Sequence, residues 1–348
     1  MKKTMFCLIV AMVFVPPFLL NGYAGNDLRI GSAGAQELLI PVGARGIALG
    51  QSSLVVSTGV DAIYWNPAGL SRETRGVEAL FSHMQYFGDI AVNYGAIGFQ
   101  AGDVGTIGVS LKSISFGDIP VTTEDFIDGT GATFSPTFIN LGATYSKLLT
   151  DRISVGVTST LISEKIINTS ASGVAFNVGI QYYGLGIPEL SLGIAVKNVG
   201  PLMSFSGSDL LRTANVQQSL RGNQPYLVDA AGFALPSSME IGLGYQRKLD
   251  DQNSVLFGGN FQNNNTSDDV YGLGGEYNYD NTFYVRASYL YAPQRTYDVS
   301  GQSSYIYDYA LGAGLRHDVG GVDVTFDYAY RHVKLLDANN IITIRFGF

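Results

Sequence analysis

The stretch Gly321-Val-Asp-Val-Thr-Phe-Asp-Tyr-Ala-Tyr-Arg331 decides the fold class. Val322, Val324, Phe326, Tyr328 and Tyr330 fall on one face of an extended chain, and Asp323, Thr325, Asp327, Ala329 and Arg331 on the other. Successive side chains of a strand point to opposite faces, so a period of two with one apolar face marks a strand between two unlike environments. The stretches 282–292 and 306–316 repeat the pattern. Phe283, Val285, Ala287, Tyr289 and Tyr291 alternate with smaller or polar residues, as do Tyr307, Tyr309, Leu311, Ala313 and Leu315. The last segment alternates Ile342, Ile344, Phe346 and Phe348 with Thr343, Arg345 and Gly347. Working outward, fourteen such segments run from 76–84 to 340–348. Most have the ~9–11 residues that a tilted membrane strand needs.

Composition agrees with a chain that shows a face to lipid. Of 348 residues, 46% are hydrophobic and only 14% are charged, against ~25% in an ordinary soluble domain. That apolar content excludes disorder. The glycines follow no three-residue period, which excludes collagen. A net charge of −8 argues against nucleic acid as a partner, because it has the wrong sign to neutralise phosphates. Residues 1–24 read as a secretory signal, with Lys2 and Lys3, an apolar stretch from Leu8 to Leu20, and Gly22-Tyr23-Ala24 as the small-x-small cleavage site. The sole cysteine, Cys7, lies inside it, so a thiol nucleophile, a disulfide framework and a thiolate metal site are not expected in the exported part.

The joints between segments carry independent information. Those at 101–103, 150–151, 185–188, 249–253, 280–281 and 317–320 are tight. Those at 117–136, 164–172, 199–237, 264–269, 293–305 and 332–339 are longer, and only the first, near Phe87-Gly88, breaks the rule. Short turns at one end and long loops at the other are the pattern of outer-membrane barrels, whose closed ladders satisfy every backbone group in lipid. The expectation is a fourteen-stranded antiparallel transmembrane β-barrel at residues 76–348, in a bacterial outer membrane. Membrane lipid is its first partner. An alternating last strand ending on Phe348 is the segment that outer-membrane assembly machinery would read.

Residues 25–75 have a different texture. Gln36 to Leu49 reads as an amphipathic helix broken by Pro41, Gly43 and Gly46, Leu54-Val55-Val56 as a short strand, and Asp61 as a helix N-cap. A lumen inside fourteen strands would otherwise hold water. The economical place for this segment is therefore inside the barrel, as a hatch entering from the periplasmic end.

The run Gly31-Ser-Ala-Gly-Ala-Gln-Glu-Leu-Leu-Ile-Pro-Val-Gly-Ala-Arg-Gly-Ile-Ala-Leu-Gly50, then Asp61-Ala-Ile-Tyr-Trp-Asn-Pro-Ala-Gly-Leu70, resembles the N-terminal signature of the PorV/PorQ group. These barrels are similar to the FadL family of long-chain fatty-acid transporters. Ser115 to Glu124 resembles the same group. The resemblance implies a fourteen-stranded barrel with a hatch that carries Asn66, Pro67 and Ala68. It also implies either sideways release of apolar substrate through the wall or, in the PorV branch, service to the type IX secretion system. Ala68-Gly69-Leu70 after Asn66-Pro67 is closer to the transporter-like pattern.

Several residues are candidates for function. Asn66, Pro67, Ala68, Gly69 and Leu70 are candidates for ligand contact or gating, the bland alternative being a capped turn. Gly117 and Pro120 lie where the third strand could kink and open the wall. Arg286, Asp308, Arg316, Asp323, Asp327, Arg331 and Arg345 share the polar faces of the last four strands. Each charge facing lipid would cost ~2–4 kcal/mol at the midplane, so they are expected to line the lumen, as hatch-holding ion pairs or as a lining that steers substrate. His83, His317 and His332 have no ligand spacing, and no metal, cofactor or catalytic residue is expected. Asp268-Asp269 could bind Ca²⁺ weakly, although a solvated loop is the plainer reading. No nucleophile elbow is present, which argues against an enzyme. Passive transport of hydrophobic molecules is the leading function. A non-enzymatic component of a type IX secretion complex is the alternative, and a soluble secreted β-sandwich is the third.

Overall fold

A computed structural model describes residues 29, 31–73, 75–214, 222–293 and 305–348. The expected signal, 1–24, lies outside the described residues. Among the described residues fourteen long strands form one antiparallel barrel: β1 Val77–Gln85, β2 Ala91–Gln100, β3 Thr106–Ser115, β4 Thr137–Leu148, β5 Ile153–Ile166, β6 Thr169–Tyr183, β7 Leu190–Val199, β8 Ser238–Lys248, β9 Asn253–Asn264, β10 Val270–Tyr279, β11 Phe283–Tyr291, β12 Tyr307–Val319, β13 Val322–Val333 and β14 Asn339–Gly347. Each strand pairs with its sequence neighbours, and β1 closes on β14 from Glu78↔Gly347 to Gln85↔Asn340.

The wall is apolar outside and polar inside. Leu111, Leu141 and Leu161 stand side by side on β3, β4 and β5, all exposed on the outer face. On the inner face Lys112, Asn140, Thr144, Thr158, Glu240, Glu276 and Asp327 are buried. Tight turns mark one end: Asp280 and Asn281 have φ of 53° and 50°, and Gly320 and Gly321 of 65° and 93°, the positive-φ backbone that a two-residue hairpin needs. Together the closed ladder, the apolar exterior and the turn asymmetry make this an outer-membrane barrel.

The fold departs from the sequence reading at several points. The expected loop 164–172 is a two-residue turn at Ile167-Asn168, because β5 and β6 continue as a tall hairpin of 14 and 15 residues. Leu54-Val55-Val56 belongs to a short helix, Ser53–Val56, and not to a strand. Inside a closed barrel there is no free sheet edge to pair with, so the chain must satisfy its own backbone there. Asp61 makes no capping bond and pairs with Arg345 instead; the observed cap is Asn66, whose side chain accepts from Ala68 N.

The hatch also runs opposite to expectation. Gly31 N bonds Thr266 O and Ala33 bridges Ala234, both partners lying in joints at the long-loop end. From there the chain descends through the lumen, turning through a 3₁₀ turn at Gln36–Leu39 and helices at Ala44–Ala48, Ser53–Val56 and Ala62–Trp65, to join β1 at the short-turn end. It therefore crosses the barrel interior from the outer mouth inward, instead of entering from the periplasm.

The outward leucine row offers a direct check. A Leu141→Arg variant should lose about 2–4 kcal/mol of folding free energy in lipid bilayers, measured by denaturant titration, with Leu141→Ala losing distinctly less.

Candidate functional site

Two kinds of contact fix the hatch to the wall, on opposite sides of the lumen. Toward β4–β8 the wall is floored with glycine. A side chain at Gly179 would occupy the space of Asn66 Oδ1, one at Gly156 that of the Pro67 carbonyl, and one at Gly193 that of Leu54 and Val55 backbone. Asn66 is fully buried in this close approach. Its Nδ2 donates to Leu54 O (3.0 Å) and Ile180 O (3.1 Å), and Pro67 begins the 3₁₀ turn Pro67–Arg72. Ser146 Oγ donates to Ala68 O (3.0 Å).

Toward β10–β14 the wall grips the hatch with charge. Arg45 of the hatch pairs with Glu276 (3.3 Å), which also receives Arg286, and Arg286 reaches on to Asp327. Arg345 pairs with Asp61 of the hatch (2.8 Å) and with Glu78 (3.5 Å). Arg316 and Arg75 share Asp323 nearer the short-turn end. Charges so deeply buried are tolerable only in mutual pairing.

Above the hatch, in the long-loop half of the lumen, lies a cavity of about 760 Å³. Leu38, Ile40, Ile47, Tyr64 and Trp65 face it from the hatch, and Ile114, Phe116, Phe138, Val270 and Leu290 from the wall. Phe116 and Phe138 meet edge to face at 4.8 Å. One sector is polar. There Lys197 pairs with Glu240 (3.1 Å) and lies 5.4 Å from the Tyr64 ring. Arg331 donates to Asn339 Oδ1 and stacks on Tyr307 at 3.8 Å. The chamber is two-sided, with an apolar floor and wall facing a sector of amides and charged groups that includes Gln51, Asn177, Gln262 and Asn264, and such a mixture suits a small-molecule site.

The structure thus separates the candidates that the sequence grouped. Asn66, Pro67, Ala68, Gly69 and Leu70 do not line the cavity; they anchor the hatch to the glycine floor. Of the seven charged candidates, Arg286, Asp327 and Arg345 join hatch-holding ion pairs, Asp323 and Arg316 sit toward the turn end, and Arg331 alone faces the cavity. Asp308 is a correction. A register shift between Tyr307 and Ala310 inserts a residue, so Tyr307 turns inward to the cavity, while Asp308 bonds His332 (2.6 Å), whose ring stacks on the exposed Tyr309. Gly117 and Pro120 are a second correction: β3 ends at Ser115 fully paired on both sides, and Ile119-Pro120 pair with Thr133-Phe134 in the loop beyond, so they do not kink the wall. The sequence reading missed Lys112, Glu164, Lys197, Glu240 and Glu276, although each is a charge on the inward phase of a strand. The same argument applied to strands before the last four would have found them.

No family profile matches the chain, and no curated protein sequence does. Solved structures do. The chain is similar to a Pseudomonas aeruginosa FadL homologue (12% identity, TM-score 0.51, covering 89% of this chain and 98% of that one). It is similar too to the Pseudomonas putida toluene transporter TodX (15%, 0.51, 86% and 96%) and the Ralstonia pickettii toluene transporter TbuX (14%, 0.50, 86% and 98%). At these identities the likeness speaks for the fold, a FadL-like barrel.

Glu276→Gln should leave Arg45 and Arg286 without their shared carboxylate. The expected cost is about 3–5 kcal/mol, read by denaturation in bilayers, part of which a second change, Arg45→Met, should restore. Gly179→Val should expel Asn66 and make the hatch, but not the barrel, sensitive to limited proteolysis.

Proposed function

We propose that the protein passes hydrophobic small molecules across the outer membrane, taking them into the chamber above the hatch. The observation that carries this reading is the chamber itself. It is floored by Trp65, Tyr64 and Ile47 and walled on one side by Ile114, Phe116 and Phe138, a continuous apolar surface that a purely water-filled pore would not present. The named activities of the structurally similar proteins, toluene transport among them, support the same reading. The chamber favours a transporter over a secretion-complex component, which would have no use for an apolar pocket in its lumen.

The exit proposed is sideways, over the end of β7. Pairing of β6 with β7 stops at Phe176↔Val199, so Thr169–Ala175 have no partner in β7. Side chains fill this notch: Met203 packs against Gly173, and Met203 and Leu235 cluster with Ala171, Ala175, Ala35 and Leu38. Among the described residues the loop pairs with β6 here through a two-residue bridge at Ser206-Gly207, while Met203 bridges Phe233 within the loop itself. A plug of side chains moves more cheaply than a backbone ladder.

Trp65 is the sole tryptophan and lines the chamber, so its fluorescence reports occupancy. Energy transfer from Trp65 to N-phenyl-1-naphthylamine should saturate at one probe per barrel and weaken at least tenfold in Ile114→Phe, which fills the chamber. Transfer that never saturates, or that ignores Ile114→Phe, would overturn the reading. A Gly173→Cys/Met203→Cys disulfide should leave binding intact and slow release into the bilayer.

A further inference from the structure

The polar side of the chamber is ordered. Its amides form a ladder in which each side chain donates to the next. Asn260 Nδ2 donates to Gln51 Oε1 (3.1 Å), Gln51 Nε2 to Gln262 Oε1, Gln262 Nε2 to Asn264 Oδ1 (2.8 Å), and Asn264 Nδ2 to Asp268 O (2.7 Å). Gln51 belongs to the hatch, and Asn260, Gln262 and Asn264 share one face of β9. The ladder therefore climbs from the hatch to the joint at the outer mouth. A side-chain amide carries two hydrogens, and each rung spends one on the next. No described residue takes the second hydrogen of Gln51, Gln262 or Asn264, and all three line the chamber. Asn177 of β6 also lines it; its oxygen accepts from Asn198 N (2.7 Å), and its nitrogen donates to no described residue.

Charge decides which acceptor these spare hydrogens suit. Lys197 is paired with Glu240, and Arg331 is engaged by Asn339 and the Tyr307 ring. On the lining Glu37, Glu164, Glu240 and Asp268 outnumber Lys197 and Arg331, and Lys112, bonded to Glu37 O behind the lining, does not reverse the excess. A carboxylate entering this lumen meets like charge, with each lining cation already engaged. A hydroxyl or carbonyl oxygen accepts the same amide hydrogens and brings no charge. The apolar surface lies elsewhere around the barrel, where Ile114, Phe116 and Phe138 stand at the outer ends of β3 and β4.

We propose that the molecules the chamber takes are amphiphiles with an uncharged hydroxyl or carbonyl head, the head on the amide ladder and the apolar body against Ile114, Phe116 and Phe138. This rests on the transport reading and narrows its substrate class. A plain hydrocarbon covers the ladder's spare hydrogens without pairing them, which costs affinity in a closed site. A carboxylate-headed chain pairs them but adds to the acidic excess. Because the rungs repeat the same group at successive heights, the head exchanges one amide for the next between the mouth and the hatch.

The test reads displacement of N-phenyl-1-naphthylamine, followed by energy transfer from Trp65, by 5-phenyl-1-pentanol, pentylbenzene and 5-phenylpentanoate at pH 8 in vesicles. Affinity ratios are taken within each protein and compared between proteins, so partition into water and lipid cancels. Gln51→Met/Gln262→Met removes both partners of one rung and keeps their volume. It should lower the affinity of the alcohol relative to pentylbenzene at least tenfold. Asn177→Leu, which leaves the ladder intact, should lower the same ratio at least threefold. Glu164→Gln removes one lining charge and should raise the carboxylate relative to the alcohol at least threefold. Heat-modifiable electrophoretic mobility checks that each variant is a folded barrel. An alcohol ratio that neither amide variant moves, or a carboxylate ratio indifferent to Glu164→Gln, would overturn the inference. With the probe still saturating, that outcome leaves the transport reading standing; a probe that never saturates in the native protein would sink both.

Discussion

The pairing of Glu78–Gln85 with Asn340–Gly347 is the constraint from which the other features follow. Once first and last strands share a ladder, the wall has no open edge except the notch beside β7, and the outer face is free to be apolar. The inner face then becomes a separate compartment with its own rules. There polar side chains are affordable, and charges such as Glu276 and Arg286 persist because each finds a partner within the closed space.

The filling of that compartment sets the function. A hatch packed evenly against the whole wall would leave nothing to bind. Here it sits low, pinned by glycine-floored contacts at Asn66 and Pro67 on one side and by Arg45 and Asp61 pairs on the other. The two anchoring modes differ in kind. The glycine floor depends on shape and is indifferent to pH and salt, while the ion pairs are electrostatic, though buried enough to be only weakly screened. Above them, Ala35 and Leu38 pack into the wall notch while the same segment borders the chamber, so the notch and the chamber meet there.

Much of this was legible in the sequence because lipid imposes a strict alternation on each strand. The period of two in Gly321–Arg331 and the alternation of short and long joints gave strand number, pairing order and which end holds the loops. What escaped was whatever alternation does not encode. A single inserted residue before Ala310 reverses Asp308 without altering composition. Leu54-Val55-Val56 has a strand's residues, but no edge to join. The inward charges of the earlier strands, such as Lys112 and Glu240, obey the same alternation as Arg286 and Asp327 but lie one to a strand, where no cluster on one face marks them. The direction of the hatch depends on contacts such as Gly31 with Thr266, which no local pattern announces.

Closure is the claim most directly open to measurement. Phe81 and Ile344 are register partners on the first and last strands, and paired residues stand close enough for a disulfide. A Phe81→Cys/Ile344→Cys protein, oxidised in vesicles, should form an intramolecular cross-link in near-complete yield. No cross-link, or one only between chains, would contradict a sheet that wraps onto itself.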